Sequence, residues 1–127
     1  MSRVIHADAR RVYDVVTNPD NLPRWAQGLA RADVRRDGDV LVVDSPMGEV
    51  RVRFVPRNNL GVADHDVTLP SGTVVTNPVR VLRHPQGCEV VFTVRQIELT
   101  DDEFERDCAL VADDLARLDA LVRALGA

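Results

Sequence analysis

Between about residues 30 and 98 apolar and polar letters alternate, whereas on both sides of that stretch the apolar ones recur every three or four positions. A period of two marks a strand with one buried face, and a period near 3.6 marks a helix with one buried stripe. The alternating part breaks into RADVRR, VLVVDS, EVRVRFVP, VADHDVTL, TVVTNPVRVL and CEVVFTVRQIE, separated by DGD, PMG, RNNLG, PSG and HPQG. Gly, Pro, Asn and Asp at that spacing predict an antiparallel meander. Ahead of it lies a short apolar strand near Arg3 to His6, then a helix that Asp8 is placed to cap. Val12, Val15 and Val16 form the helix stripe, Asn18-Pro19 ends it, and a one-turn helix carrying Leu22 and Trp25 follows. After the meander, Thr100 and Glu103 spell a capping box, with Asp101 and Asp102 at the positive helix end. The series Phe104, Cys108, Val111, Leu115, Leu118, Val122, Leu125 then advances in alternating steps of four and three until Gly126. This predicts a helix of about 24 residues, on the order of 35 Å long, enough to cross a sheet from edge to edge.

The two patterns are complementary. Along EVRVRF, Val50, Val52 and Phe54 share one face and Glu49, Arg51 and Arg53 the other; along the last strand Val90, Phe92 and Val94 oppose Glu89, Thr93 and Arg95. Only one sheet face is apolar, so the long helix is expected to cover it. The same stripe would also suit a coiled-coil seam, so both a monomer and a homodimer are compatible with it.

Composition narrows the class. The chain has 127 residues, 45% of them apolar, and no break in composition, which fits one α+β domain over residues 1–127. Its net charge of -4 includes no basic stripe for nucleic acid. No apolar run approaches a membrane span and the N-terminus has no signal-peptide core, so a cytoplasmic protein with a neutral or apolar partner is expected. All 16 basic residues are Arg, which excludes Schiff-base, pyridoxal-lysine and P-loop-lysine chemistry. Cys88 and Cys108 lack metal or redox spacing and read as reduced, mostly buried thiols; no cofactor is implied.

A strand, two short helices, six antiparallel strands and a long final helix make the order of the helix-grip fold. RRVYDVVTNPDNLPRWAQGLA, VVDSPMGEVRVRF and DHDVTLPSGTVVTNPVRV resemble bacterial members of the SRPBCC superfamily, which includes START-like lipid binders and the polyketide cyclase/dehydrase group. The resemblance covers nearly the whole chain and is most specific around residues 18 to 25. It implies a curved antiparallel sheet gripping the C-terminal helix, with a cavity between them for a small, mainly apolar, lipid-like or polyketide-like molecule. It does not fix the function, since binders and enzymes share this scaffold.

Candidate chemistry is sparse. Asp64, His65 and Asp66 look like a metal site or relay, but strand alternation sends Asp64 and Asp66 outward and His65 inward with Ala63, Val67 and Leu69. No second His is spaced for ligation, so no metal is expected. On the next strand Asn77 points inward among Val75, Val79 and Val81. A turn centred on Pro70 to Gly72 gives pairing rows that sum to about 142, which sets His65 opposite Asn77 within hydrogen-bonding reach. Three roles follow for the pair: a satisfied core contact, polar anchors for a ligand carbonyl or hydroxyl, or His65 as general acid/base in a cyclase or dehydratase. A protein-interaction module with a filled core is the remaining class. Trp25, Met47, Phe54, Phe92, Phe104 and Val111 are the expected wall and rim of the cavity, and Tyr13 is expected half-buried with its hydroxyl in water.

Overall fold

The computed structural model describes residues 1–27, 34–45 and 48–126. The chain runs β1 (Ser2–Ile5), α1 (Ala9–Thr17), a 3-10 turn (Pro19–Asn21), α2 (Leu22–Trp25), and then the strands β2 (Val34–Asp37), β3 (Val40–Ser45), β4 (Gly48–Phe54), β5 (His65–Thr68), β6 (Val74–Asn77), β7 (Val79–His84) and β8 (Gly87–Phe92). It closes with α3 (Asp101–Gly126). The architecture is the expected α+β helix-grip arrangement, with the short helices early and the long helix packed across the sheet. All strand pairs are antiparallel, in the orders β2-β3-β4-β5-β6 and β1-β8-β7.

The second strand from the end of the meander was expected to be continuous and is instead two, because Pro78 has no N–H to offer a ladder. The register does not slip there. His65 pairs with Asn77, Thr68 with Val74, and beyond the break Val62 still bridges Arg80. Pro78 also explains why β8 stops at Phe92. Phe92 lies opposite Val79, so Thr93 comes next to Pro78; the Thr93 N–H reaches the Pro78 carbonyl at 2.9 Å, and the return bond cannot form. The chain continues toward the β5–β6 turn, where the Thr73 hydroxyl donates to the Glu98 carboxylate at 2.7 Å. Three residues later α3 begins.

The capping box forms as the spacing predicts: the Glu103 N–H donates to Thr100 Oγ1 at 3.2 Å and the Thr100 N–H to Glu103 Oε1 at 3.0 Å. The stripe behind it needs correction at both ends. Val111, Leu115, Leu118 and Val122 are buried, but Phe104 and Cys108 are only half-buried and Leu125 is exposed. Leu121 and two carboxylates, Asp114 and Asp119, go inward instead. Asp119 is held by Arg3 of β1 at 2.9 Å and by Arg123 at 3.0 Å, and Asp114 pairs with Arg117. A buried charge is tolerated when its lone pairs are taken up by cations that reach water, and both arginines on Asp119 do so. From α1, Arg11 donates to the Val122 carbonyl at 2.9 Å, supplying a donor to the last turn of α3. The core lies between these helices and the inner sheet face, with Val43, Val50, Val52, Val79 and Val90 closed off from solvent.

Candidate functional site

The Asp64-His65 pair sits where the ladder fails. Opposite Val79, Ala63 receives nothing back: its N–H donates to the Val79 carbonyl at 2.8 Å, but the Val79 N–H turns to Asp64 Oδ1 at 2.9 Å. The Ala63 carbonyl, deprived of that donor, lies 3.2 Å from His65 Nδ1. Two neighbouring side chains thus take up the backbone donor and acceptor that the strands leave unpaired. Asp64 also holds Arg80 in a two-point fork, at 2.9 Å to Nε and 2.8 Å to Nη2, and this guanidinium keeps its carboxyl below the usual carboxylate range. Asp66 accepts from the Thr76 hydroxyl at 2.6 Å. The two aspartates were expected to be solvated; they are on the outer side as alternation requires, but partnered.

His65 is 5% exposed. Its ring lies 4.8 Å from that of Phe54, its partner on β4, and 6.0 Å edge-on from that of Phe92. Burial is the largest influence on it and pushes its pKa below 6.5, against the opposing effects of the Ala63 carbonyl and of Asp64 and Asp66. The ring is therefore neutral at pH 7. The expected hydrogen bond to Asn77 does not form, although the two are paired in register; the Ala63 carbonyl competes successfully because it has no other donor. The Asn77 carboxamide, half-buried, bonds to none of the described residues. Among those residues, Trp25 Nε1 is the one buried side-chain polar atom both sealed from solvent and lacking a partner. His65 Nε2 has no hydrogen-bond partner among the described residues either.

Around His65 the cover over the inner face thins. Phe54, Val75, Asn77, Phe92 and Val94 are half-buried, in contrast to Val50 and Val52 one rung away on β4. The larger recess, of about 590 Å³, is not on this face: it lies on the outer side of β4–β6, where Asp39, Arg53, Val55, Asp64, Asp66 and Thr76 line it, and it touches Phe54 and His65 from behind. A smaller one of about 250 Å³ lies between Tyr13 of α1 and Leu60 and Leu82. Neither recess includes a residue of α3 in its lining.

The other candidates are dispersed. Trp25 is buried on α2, where its carbonyl accepts from Arg117 of α3 at 3.4 Å, and Val111 is buried on α3. Phe104 is half-buried in the first turn of α3, and Met47 lies outside the described residues. Tyr13 is fully engaged rather than wet: its hydroxyl accepts from the Asn58 N–H at 3.1 Å and donates to the Val62 carbonyl at 3.3 Å. Sequence reasoning missed Asp107, a half-buried carboxyl near the start of α3 that burial pushes upward in pKa. Its position one turn before Val111 was the available signal. Among the described residues no three His, Cys, Asp or Glu side chains converge as metal ligands would, and no helix is long and apolar enough to cross a membrane.

No protein-family model matches the chain, and no curated protein is detectably similar to it. Solved structures are. A protein from Chromobacterium violaceum superposes with a TM-score of 0.69 at 14% identity, over 96% of this chain and 94% of its own. The XoxI protein of Bacillus cereus gives 0.68 at 15% identity over 100% and 96%, and an uncharacterized protein of Rhizobium leguminosarum gives 0.68 at 13% over 98% and 92%. At such identities the likeness establishes the fold alone.

Proposed function

We propose that the chain binds a small, mainly apolar molecule against the inner sheet face at Phe54, His65, Asn77 and Phe92, under the first turns of α3. This is the role that the SRPBCC resemblance implies. The observation that carries it is His65: a buried, neutral imidazole between two half-buried phenylalanines, with one nitrogen committed to the backbone and the other without a partner among the described residues. A structural histidine in a filled core would have both nitrogens satisfied. Apolar walls with one or two convergent polar groups are the usual make-up of a small-molecule site. Phe104 and Cys108, half-buried at the start of α3, would close over such a guest.

Native mass spectrometry of the purified chain, followed by titration with neutral apolar probes monitored by amide NMR, tests the reading. Shifts are expected at Phe54, His65, Asn77 and Phe92, and weaker binding in His65→Ala and Asn77→Ala. Shifts confined to the Tyr13–Leu60–Leu82 recess, or unchanged affinity in both variants, would remove the site from this face.

A further inference from the structure

We infer that the site selects a ligand bearing a neutral hydroxyl, an apolar alcohol or phenol, over the corresponding ketone or aldehyde. The inference rests on the binding role proposed above and assigns what that role leaves open, the polar group of the guest.

The selection comes from the broken ladder. A carbonyl oxygen only accepts, so the 3.2 Å approach of His65 Nδ1 to the Ala63 carbonyl requires the proton to be on Nδ1. A buried ring carries one proton and not two, since the charged form loses its hydration. Nε2 is then a bare lone pair with no partner among the described residues, and it accepts a hydrogen bond but cannot give one. The Ala63 carbonyl is available to hold this tautomer because the Val79 N–H is diverted to Asp64. Asp64 is thus a positioning residue for His65, through the backbone.

Asn77 supplies the complement. It is paired with His65 across β5 and β6 on the same face, and its carboxamide bonds to none of the described residues. An alcohol serves both side chains: its O–H donates to His65 Nε2 while its oxygen accepts from the Asn77 amide. A ketone satisfies Asn77 alone and sets its oxygen lone pairs against that of Nε2. Leaving a desolvated acceptor unpaired is costly enough that about tenfold or more in affinity is expected to separate the two.

The test uses two shape-matched pairs of probes, decan-2-ol with decan-2-one and 4-phenylcyclohexanol with 4-phenylcyclohexanone, titrated calorimetrically into the whole chain. The alcohols are expected to bind at least about tenfold more tightly, and His65→Phe, which keeps the ring packing but removes Nε2, is expected to abolish the difference. Equal affinity within both pairs overturns the inference while leaving the binding role intact. No binding by any of the four removes the binding role and this inference with it. The side-chain 15N spectrum of His65 in the unsubstituted chain needs no variant to fold: a protonated Nδ1 and a bare Nε2 are expected, and a proton on Nε2 overturns the assignment.

Discussion

Replacing Asp64 by Ala isolates the device on which the site is built. Asp64 does two jobs, and the structure separates them. Its fork on Arg80 joins a guanidinium that remains largely in water, so losing that contact weighs little. Its Oδ1 takes the Val79 N–H, and Val79 is 1% exposed. In Asp64→Ala this amide either stays unpaired, at a cost of about 1–3 kcal/mol, or recaptures the Ala63 carbonyl and takes it from His65. For a domain of this size about 1 kcal/mol moves Tm by about 3–5 °C, so a fall of roughly 3–15 °C is expected. Asp64→Asn retains a carbonyl oxygen at the same place and is expected to keep most of the stability. Urea unfolding followed through Trp25, the single tryptophan and a buried one, measures the difference. Hydrogen exchange at the Val79 amide locates it. If Asp64→Ala is within about 0.5 kcal/mol of the parent, the usual range of an inconsequential surface change, the ladder account is wrong. If Asp64→Asn loses as much as Asp64→Ala, the charge and not the Val79 bond carries the effect.

Acidification is expected to lower stability in two windows, because the folded-state values of His65 and Asp64 both lie below their ordinary ones, 6.5 and 3.8. As pH falls below 6.5 the unfolded chain takes up the imidazole proton and the folded chain does not; below 3.8 the same holds for the Asp64 carboxyl. Denaturation midpoints against pH should show both steps, with His65→Phe lacking the upper one; a flat profile between pH 7 and 5 would contradict the burial assigned to His65. The thiols should differ in the folded protein: Cys88 is fully buried and its pKa is raised by burial, whereas Cys108 is half-buried. Iodoacetamide is expected to label Cys108 first and Cys88 only after unfolding, and mass spectrometry of the labelled peptides reads the order.

Much of this was legible in the residues, for identifiable reasons. The alternation around His65 and the short PSG turn fixed face and register together, so the His65–Asn77 row lies where arithmetic put it. Capping at Thr100 is a local event and needed no tertiary context. What escaped was decided by competition between partners. A sequence does not show that the Ala63 carbonyl is vacant, since that follows from the Val79 N–H going to Asp64, so the histidine's actual partner was invisible although its neighbour across the strand was not. The inward placement of Asp119 escaped for a related reason. Its placement inward depends on Arg3, from the far end of the chain, arriving beside it. Tyr13 is buried because Asn58 and Val62 of a distant loop close on its hydroxyl.

The arrangement of strands also sets an order of assembly. β2 through β6 are joined by successive turns, so each ladder closes a small loop and can form early. β1 instead pairs with β8, Ile5 beside Cys88, and must wait for nearly the whole intervening chain before its first contact is rewarded. Arg3 on Asp119 and Arg11 on the Val122 carbonyl span still longer separations and fasten β1 and α1 to the helix at the other end of the chain. Weakening these contacts should therefore speed unfolding while leaving the refolding rate nearly unchanged, a chevron with one displaced arm. The persistence of the folded chain over time then depends on how firmly its first residues hold its last ones.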